Sequence, residues 1–351
     1  MSRWAAVLAG GSGTRFWPLS TRTAPKQMLS LTGGEPLLRQ AVQRLHPLIP
    51  PERIVVVTAE ALRQATCRLL SHIPADNILG EPRAASTGPA LTWATFLVAQ
   101  RDPDAVLLSL PADWFVGDDE GFRTAASKAL DVAEHRDVLV TVGIVPDRPD
   151  VGYGYIEPGE TLDRDARHIV RFTEKPPLEE AKRLVDAGAL WNSGLFAWTA
   201  ARFLTETRAV APEISAGLAA LESDDVRGFF EAVTPIAVDI SHFERTDRSA
   251  VVQGDFPWDD VGTWSALARI RSRDDFGNVL VGDVEHRGAS NCVVWAEDGP
   301  IVLDGVHDLV VVRANGMVLV TTKDRAAHLK DLLAALPARL TAIDDTKGTP
   351  S

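Results

Sequence analysis

Near the start of the chain, Ala9-Gly10-Gly11-Ser12-Gly13-Thr14-Arg15 gathers the residue types that hold phosphate. Three glycines within four positions let a backbone turn tightly and bring its N–H groups against phosphate oxygens, where a side chain would block the approach. Arg15, and Lys26 in Pro25-Lys26-Gln27, supply counter-charge. Gly10, Gly11, Gly13 and Thr14 are therefore expected to bind a nucleotide, with Arg15 and Lys26 acting at its phosphates. Neither common phosphate pattern is met. The dinucleotide fingerprint needs a third glycine where Phe16 stands, and the Walker Gly-Lys-Ser/Thr is missing. An ordinary dehydrogenase or ATPase is disfavoured, and from the glycines alone a plain strand-to-helix turn stays open.

Hydrophobic patterning predicts the elements that must position this loop. Trp4 to Leu8, Ile54 to Thr58, Ala105 to Leu110 and Val138 to Ile144 are short apolar runs that read as buried strands. Leu37, Leu38, Ala41, Val42 and Leu45 recur at helical spacing after Pro36, and further helices are expected over Leu91 to Val98 and Phe122 to Ala133. This alternation predicts an α/β, Rossmann-like domain with a mixed, mostly parallel sheet and ligands at the carboxyl ends of its strands. Gly152 to about Trp264 reads as less regular, dense in aromatic and glycine motifs, and suited to holding sugar. Beyond Asp274, the runs Val279 to Val281, Cys292 to Trp295, Ile301 to Leu303, Leu309 to Val312 and Val318 to Val320 predict a small β-rich, β-helix-like domain. Leu329, Leu332, Leu333 and Leu336 then predict a terminal amphipathic helix. The expected divisions are 1–273, 274–340 and a flexible tail over 341–351.

Composition narrows the function classes. The 351 residues are 45% hydrophobic and 24% charged, ordinary for a soluble globular protein, with no apolar run of transmembrane length. A strand begins almost at once, without a secretory n-region, so a cytoplasmic protein with no membrane partner is expected. Cys67 and Cys292 have no metal-ligand spacing and are expected to be buried thiols. A net charge of -12 disfavours nucleic-acid binding, so any anionic ligand must meet a local concentration of cations or a metal ion.

Further motifs occur in order: Glu81-Pro82 leading to Ser86-Thr87-Gly88-Pro89-Ala90; Leu110-Pro111-Ala112-Asp113; Gly152-Tyr153-Gly154-Tyr155; Phe172-Thr173-Glu174-Lys175-Pro176; Trp191-Asn192-Ser193-Gly194; and Trp258-Asp259-Asp260-Val261-Gly262. With the glycine loop they resemble the mannose-1-phosphate guanylyltransferases of the sugar-phosphate nucleotidyltransferase superfamily, from about Trp4 to Leu336. The resemblance implies an enzyme that joins GTP and mannose 1-phosphate into GDP-mannose and pyrophosphate. The attacking phosphate oxygen is already an anion, so alignment and charge neutralisation matter more than a general base.

The same resemblance implies the remaining roles. Asp113 and Asp260 match the carboxylates that hold Mg2+, an oxygen-seeking ion, although either Asp alone would ordinarily be read as a turn or cap residue. Asp259 is the weaker of its pair and reads as structural. Lys175 matches the lysine directed at the sugar phosphate, where a lone lysine would be a solvated charge. Glu174 and Asn192 would accept and donate hydrogen bonds to sugar hydroxyls, with Gly154 admitting the ring. Glu81 would accept from guanine N1–H and the 2-amino group, with Ser86 and Gly88 in the nucleotide pocket. Trp191 and Phe196 read as core.

Two departures from the family pattern lie near the base and ribose: Ser86-Thr87-Gly88 where Asn-Thr-Ala is common, and Trp114 where a His is usual. They leave open another nucleotide or hexose 1-phosphate, and, from a different class, a regulatory homologue that binds nucleotide sugar without turnover. Larger relatives add a phosphomannose isomerase domain, which this sequence is expected to lack; a homodimer stays open. The segment after Asp274 carries none of these motifs and is expected to serve assembly or stability without supplying catalytic groups.

Overall fold

The structure, a computed structural model, describes residues 1–11 and 13–341. Contacts group the chain into two compact units. The first comprises Met1–Gly10, Ala41–Ala112 and Val116–Trp258; the second comprises Gly11–Gln40, Asp113–Phe115 and the residues from Asp259 onward. Apart from Thr341, the tail expected over 341–351 lies outside the described residues.

The first unit is built on a nine-stranded sheet. In chain order its strands are β1 (Ser2–Ala9), β2 (Ile54–Ala59), β3 (Ile78–Glu81), β4 (Ala105–Pro111), β5 (Leu139–Ile144), β6 (Gly154–Thr161), β7 (Ala166–Glu174), β8 (Leu190–Thr199) and β9 (Ser249–Gly254). They lie in the order β3-β2-β1-β4-β8-β5-β9-β7-β6. The β3-β2-β1-β4 block and the β5–β9 pair are parallel, whereas β8 is antiparallel to β4 and to β5, and β7 to both β9 and β6. The run Ile-Val-Val-Val of β2 is buried throughout, as a parallel strand covered on both faces requires.

The helices follow equally local rules. In α1 (Leu37–Arg44) the apolar side chains fall on one side. In α2 (Thr87–Arg101) residues 88–95 are all buried, so this helix runs through the interior. The Asp118 carboxylate caps α3 (Asp119–Arg136) by accepting from Glu120 N at 3.0 Å, and His135 and Arg136 lie in its last turn, where a cation suits the helix dipole. The core around these elements carries stacked aromatics, with Trp198 and Phe203 centroids 4.2 Å apart. Trp191 and Phe196 are buried, as expected. The expected irregular middle is instead well ordered, because β6 to β9 alternate into the sheet. Cys67 is only half-buried, whereas Cys292 is buried.

In the second unit β10 (Val279–Arg287), β11 (Val293–Asp304), β12 (Leu309–Ala314) and β13 (Met317–Thr322) form one sheet in chain order. The first three are parallel, as successive coils of a β-helix are, and β13 turns back antiparallel. Two expected runs, Cys292 to Trp295 and Ile301 to Leu303, join into the single strand β11. The helix α4 (Leu329–Ala335) follows. One cluster holds Phe16, Trp17, Val261, Trp264, Val293, Trp295 and Leu329 together. At its centre Trp264, wholly buried, lies 5.1 Å from Phe16 and 5.8 Å from Trp295, and donates from Nε1 to the Trp17 carbonyl at 3.1 Å. Among the described residues no helix is long and apolar enough to cross a membrane.

Replacing this side chain leaves both a cavity and an unpaired carbonyl. Trp264→Ala is expected to cost about 3–5 kcal/mol. Chemical denaturation followed by tryptophan fluorescence checks this, and a midpoint equal to wild type would refute the central place given to Trp264.

Candidate active site

Within the second unit, a cavity of about 380 Å3 is lined by Gly11, Gly13, Thr14, Arg15, Phe16, Lys26, Asp113, Asp260, Gly262 and Lys330. Gly13 has φ of 59°, and a Cβ there would lie 2.4 Å from the Lys26 backbone nitrogen. Only glycine permits both this conformation and so close an approach. The turn is secured by Ser20 Oγ, which donates to the Gly13 carbonyl at 2.8 Å, and by Phe16 N, which donates to the same oxygen at 3.0 Å.

Lys26 is 7% exposed, and its ammonium donates to Asp113 Oδ2 at 3.0 Å and to the Asp260 carbonyl at 2.6 Å. Asp260 Oδ1 accepts from Gly262 N at 3.0 Å. The neighbouring Asp259 behaves differently. It is buried and accepts from Arg269 Nε at 2.6 Å and Nη2 at 3.0 Å, a bidentate pair that fits its structural reading. Trp114, following Asp113, is 3% exposed and packs inside rather than lining the cavity.

Among the described residues no three His, Cys, Asp or Glu side chains gather to hold a metal. Asp113 and Asp260 nevertheless offer oxygen alone, the donor type of a hard dication that keeps part of its shell for phosphate and water.

The first unit holds the other expected residues. Glu174 ends β7 opposite Gly154 of β6, and a Cβ on Gly154 would lie 2.7 Å from Glu174 Oε2. Lys175 is exposed, has φ of 47°, donates from its backbone N to the Tyr153 carbonyl at 3.2 Å and sets its ammonium on the Glu174 carboxylate. A non-glycine residue in that backbone region is strained, and such strain concentrates at working sites. Asn192 Oδ1 accepts from Thr141 Oγ1 at 3.0 Å and Gly194 N at 3.2 Å, while Nδ2 donates to Asp239 Oδ1 at 2.7 Å. Both oxygen lone pairs are used, so one N–H remains for a ligand. Asp239 is missed by the motif reading. Burial, then the charge of Glu174, pushes its carboxyl up to about 6.

Glu81 ends β3 beside Ala59 of β2. Its Oε1 is buried and finds no hydrogen-bond partner among the described residues, and burial pushes the carboxyl up to about 7. Ser86 is exposed just before α2, with φ of 68°. Gly88 is buried against Ile214 and the Ile236 carbonyl, to which its N donates at 3.0 Å, so packing accounts for its size. Gly10 follows β1. Lys330 of α4, in the segment after Asp274 that was expected to supply no catalytic group, also lines the phosphate-type cavity. A lysine in an amphipathic helix carries no signal that would reveal this.

A glycine loop, cations and two carboxylates around one cavity, in a chain that also carries a mixed α/β sheet and a β-helix-like sheet, define a nucleotidyl-transferring enzyme. A family profile described as nucleotidyl transferase matches residues 4–275, and one described as a MannoseP isomerase/GMP-like beta-helix domain matches 288–336. A mannose-1-phosphate guanylyltransferase of Escherichia coli (strain K12) is 36% identical over 95% of this chain and 73% of its own length. Another, of Sinorhizobium fredii, is 33% identical over 97% and 70%. A crystal structure described as mannose-1-phosphate geranyltransferase from Thermus thermophilus covers 95% of this chain and 99% of its own, at TM-score 0.88 and 36% identity. The chain belongs to the mannose-1-phosphate guanylyltransferase family.

The adjacent aspartates separate by experiment. Asp259→Asn breaks a pair whose carboxylate is buried and should cost on the order of 3 kcal/mol of stability. Asp260→Asn should keep the thermal midpoint and lose transferase activity. Midpoints by circular dichroism alongside pyrophosphate release check both, and the reverse pattern would exchange the two roles.

Proposed function

We propose that this chain transfers the guanylyl group of GTP to mannose 1-phosphate, yielding GDP-mannose and pyrophosphate. The observation that carries the proposal is the cavity where the glycine loop, Arg15, Lys26, Asp113 and Asp260 come together, with the composition a triphosphate and a dication need. A sugar-phosphate oxygen forms a bond to the α-phosphorus, the bond from that phosphorus to the bridging oxygen breaks, and pyrophosphate leaves with the electron pair. The nucleophile enters as an anion and no proton has to move.

The loop N–H groups, Thr14 and Arg15 bind the nucleotide's phosphates, and Lys26 balances charge at the cavity wall. Asp113 and Asp260 would hold Mg2+, which neutralises charge on the phosphates as pyrophosphate departs. Lys175 receives the sugar phosphate. Glu174 accepts from sugar hydroxyls, Asn192 donates to one, and Asp239 keeps the Asn192 amide in orientation. Gly154 keeps the approach free of a side chain. Glu81, with a buried unpaired oxygen, accepts from guanine N1–H and its 2-amino group; adenine offers neither donor.

If Lys175 serves the sugar phosphate, Lys175→Ala should raise the KM for mannose 1-phosphate by roughly tenfold or more with the KM for GTP nearly unchanged. Selective loss of GTP binding in steady-state kinetics would move Lys175 to the nucleotide.

The Glu81 carboxyl, raised to about 7, is ionised above that pH and protonated below it. Guanine recognition needs the ionised form, and kcat/KM reports the free enzyme. Preference for GTP over ATP, roughly a hundredfold when the carboxylate is charged, should therefore fall as pH drops through about 7. In Glu81→Gln it should be weaker and independent of pH. Pyrophosphate release from the two nucleotides, with several hexose 1-phosphates as acceptors, tests this. Equal use of GTP and ATP by wild type at pH 8 would overturn the guanylyl assignment.

A further inference from the structure

We propose that Lys330 binds the part of the triphosphate that leaves as pyrophosphate; the inference rests on the reaction proposed above. Lys330 lines the same cavity as Arg15, Lys26, Asp113 and Asp260. Three cations and two carboxylates make the lining net positive by one charge, in a chain of net charge -12.

The three cations are not equivalent. Lys26 is already committed to Asp113 and to the Asp260 carbonyl. Arg15 and Lys330 have no carboxylate within ion-pair distance among the described residues, and both are exposed. A triphosphate brings about four negative charges into a cavity already holding two carboxylates, so one committed lysine is too little compensation.

Position separates Lys330 from an ordinary surface lysine. Leu329, the residue before it, is 1% exposed, and Phe16, the residue after Arg15, is wholly buried; both belong to one core cluster. Each cation thus hangs on backbone fixed by its buried neighbour, with only the side chain free to meet a ligand. Lys26 and the carboxylates serve the reacting phosphorus and its dication, which leaves Arg15 and Lys330 for the outer phosphates. A flexible point charge suits a group that must also be released. The segment after Asp274 thereby supplies a residue that touches substrate.

Full-length wild type, Lys330→Ala, Lys330→Arg and Lys330→Glu are compared in both directions of the reaction. Lys330→Ala should raise the KM for GTP, and for pyrophosphate in the reverse reaction, on the order of tenfold. The KM values for mannose 1-phosphate and GDP-mannose should stay within about twofold. Lys330→Arg should restore most of the loss, Lys330→Glu should deepen it, and the exposed position should leave all thermal midpoints unchanged. Unchanged constants for GTP and pyrophosphate in Lys330→Ala would overturn the inference. If wild type fails to turn over GTP and mannose 1-phosphate, the proposed reaction falls. Calorimetric titration with inorganic pyrophosphate and Mg2+ still decides on Lys330: weaker binding by Lys330→Ala supports it, and equal binding overturns it.

Discussion

A lysine ammonium largely removed from water must be met by oxygen, and the arrangement of the phosphate-type cavity depends on how Lys26 meets that requirement. Its two oxygens come from Asp113 and Asp260, 87 and 234 residues further along the chain. The backbone of the same residue packs against Gly13, where no side chain has room. One residue therefore ties the glycine loop to the carboxylate of one candidate metal aspartate and to the backbone of the other. Without that cation the Asp113 carboxylate would lose its ion-pair partner and the Asp260 carbonyl its donor. The lysine that balances charge in the proposed chemistry is also the one that makes the site affordable in the fold.

The cluster in the first unit rests on hydrogen bonds more than on ion pairing. Asn192 has its oxygen filled twice and its nitrogen held by Asp239, so its amide is fixed before any sugar arrives. Below it, Trp191 meets Tyr153 edge-on at 4.9 Å and carries the Arg148 guanidinium 4.9 Å from its ring centroid. This packing keeps the Gly152-Tyr153-Gly154 turn in register with Glu174 and Lys175. Buried aromatics and exposed polar tips thus divide the labour between rigidity and recognition.

Much of this was legible in the sequence, for identifiable reasons. Short β-branched runs such as Ile54 to Thr58 admit few alternatives to a buried strand, and a glycine cluster after such a run marks a backbone that must approach something closely. Asp113 and Asp260 stood out only through the resemblance of their motifs to the family, since either alone reads as a turn or cap residue. Lys330 and Asp239 did not, since a lysine on an amphipathic helix and an aspartate in Val-Asp-Ile have ordinary solvent-facing explanations. What gives them meaning is contact with residues far away in sequence, Phe16 through Leu329 in one case and Asn192 in the other. Gly88 illustrates the opposite limit: a glycine inside a motif whose smallness is accounted for by Ile214 and the Ile236 carbonyl. Within Gly152 to Trp264 only β6 and β7 pair locally; β8 pairs with β4 and β5, and β9 with β5, which lie far away in sequence, so no local rhythm betrays them.

The aromatic cluster of the second unit bears on the order in which the protein can be made. Trp264 donates to the carbonyl of Trp17, 247 residues earlier in the chain. A ribosome adding roughly 5–20 residues each second needs on the order of 12–50 seconds to cross that interval. Throughout that time Phe16 and Trp17 have emerged without Trp264, Trp295 and Leu329, the later members of their cluster. The sheet that begins with β1 can assemble while synthesis continues, whereas the phosphate-type cavity must wait. The aromatic cluster of this chain can therefore close only late in synthesis, an order written into topology rather than into any local sequence.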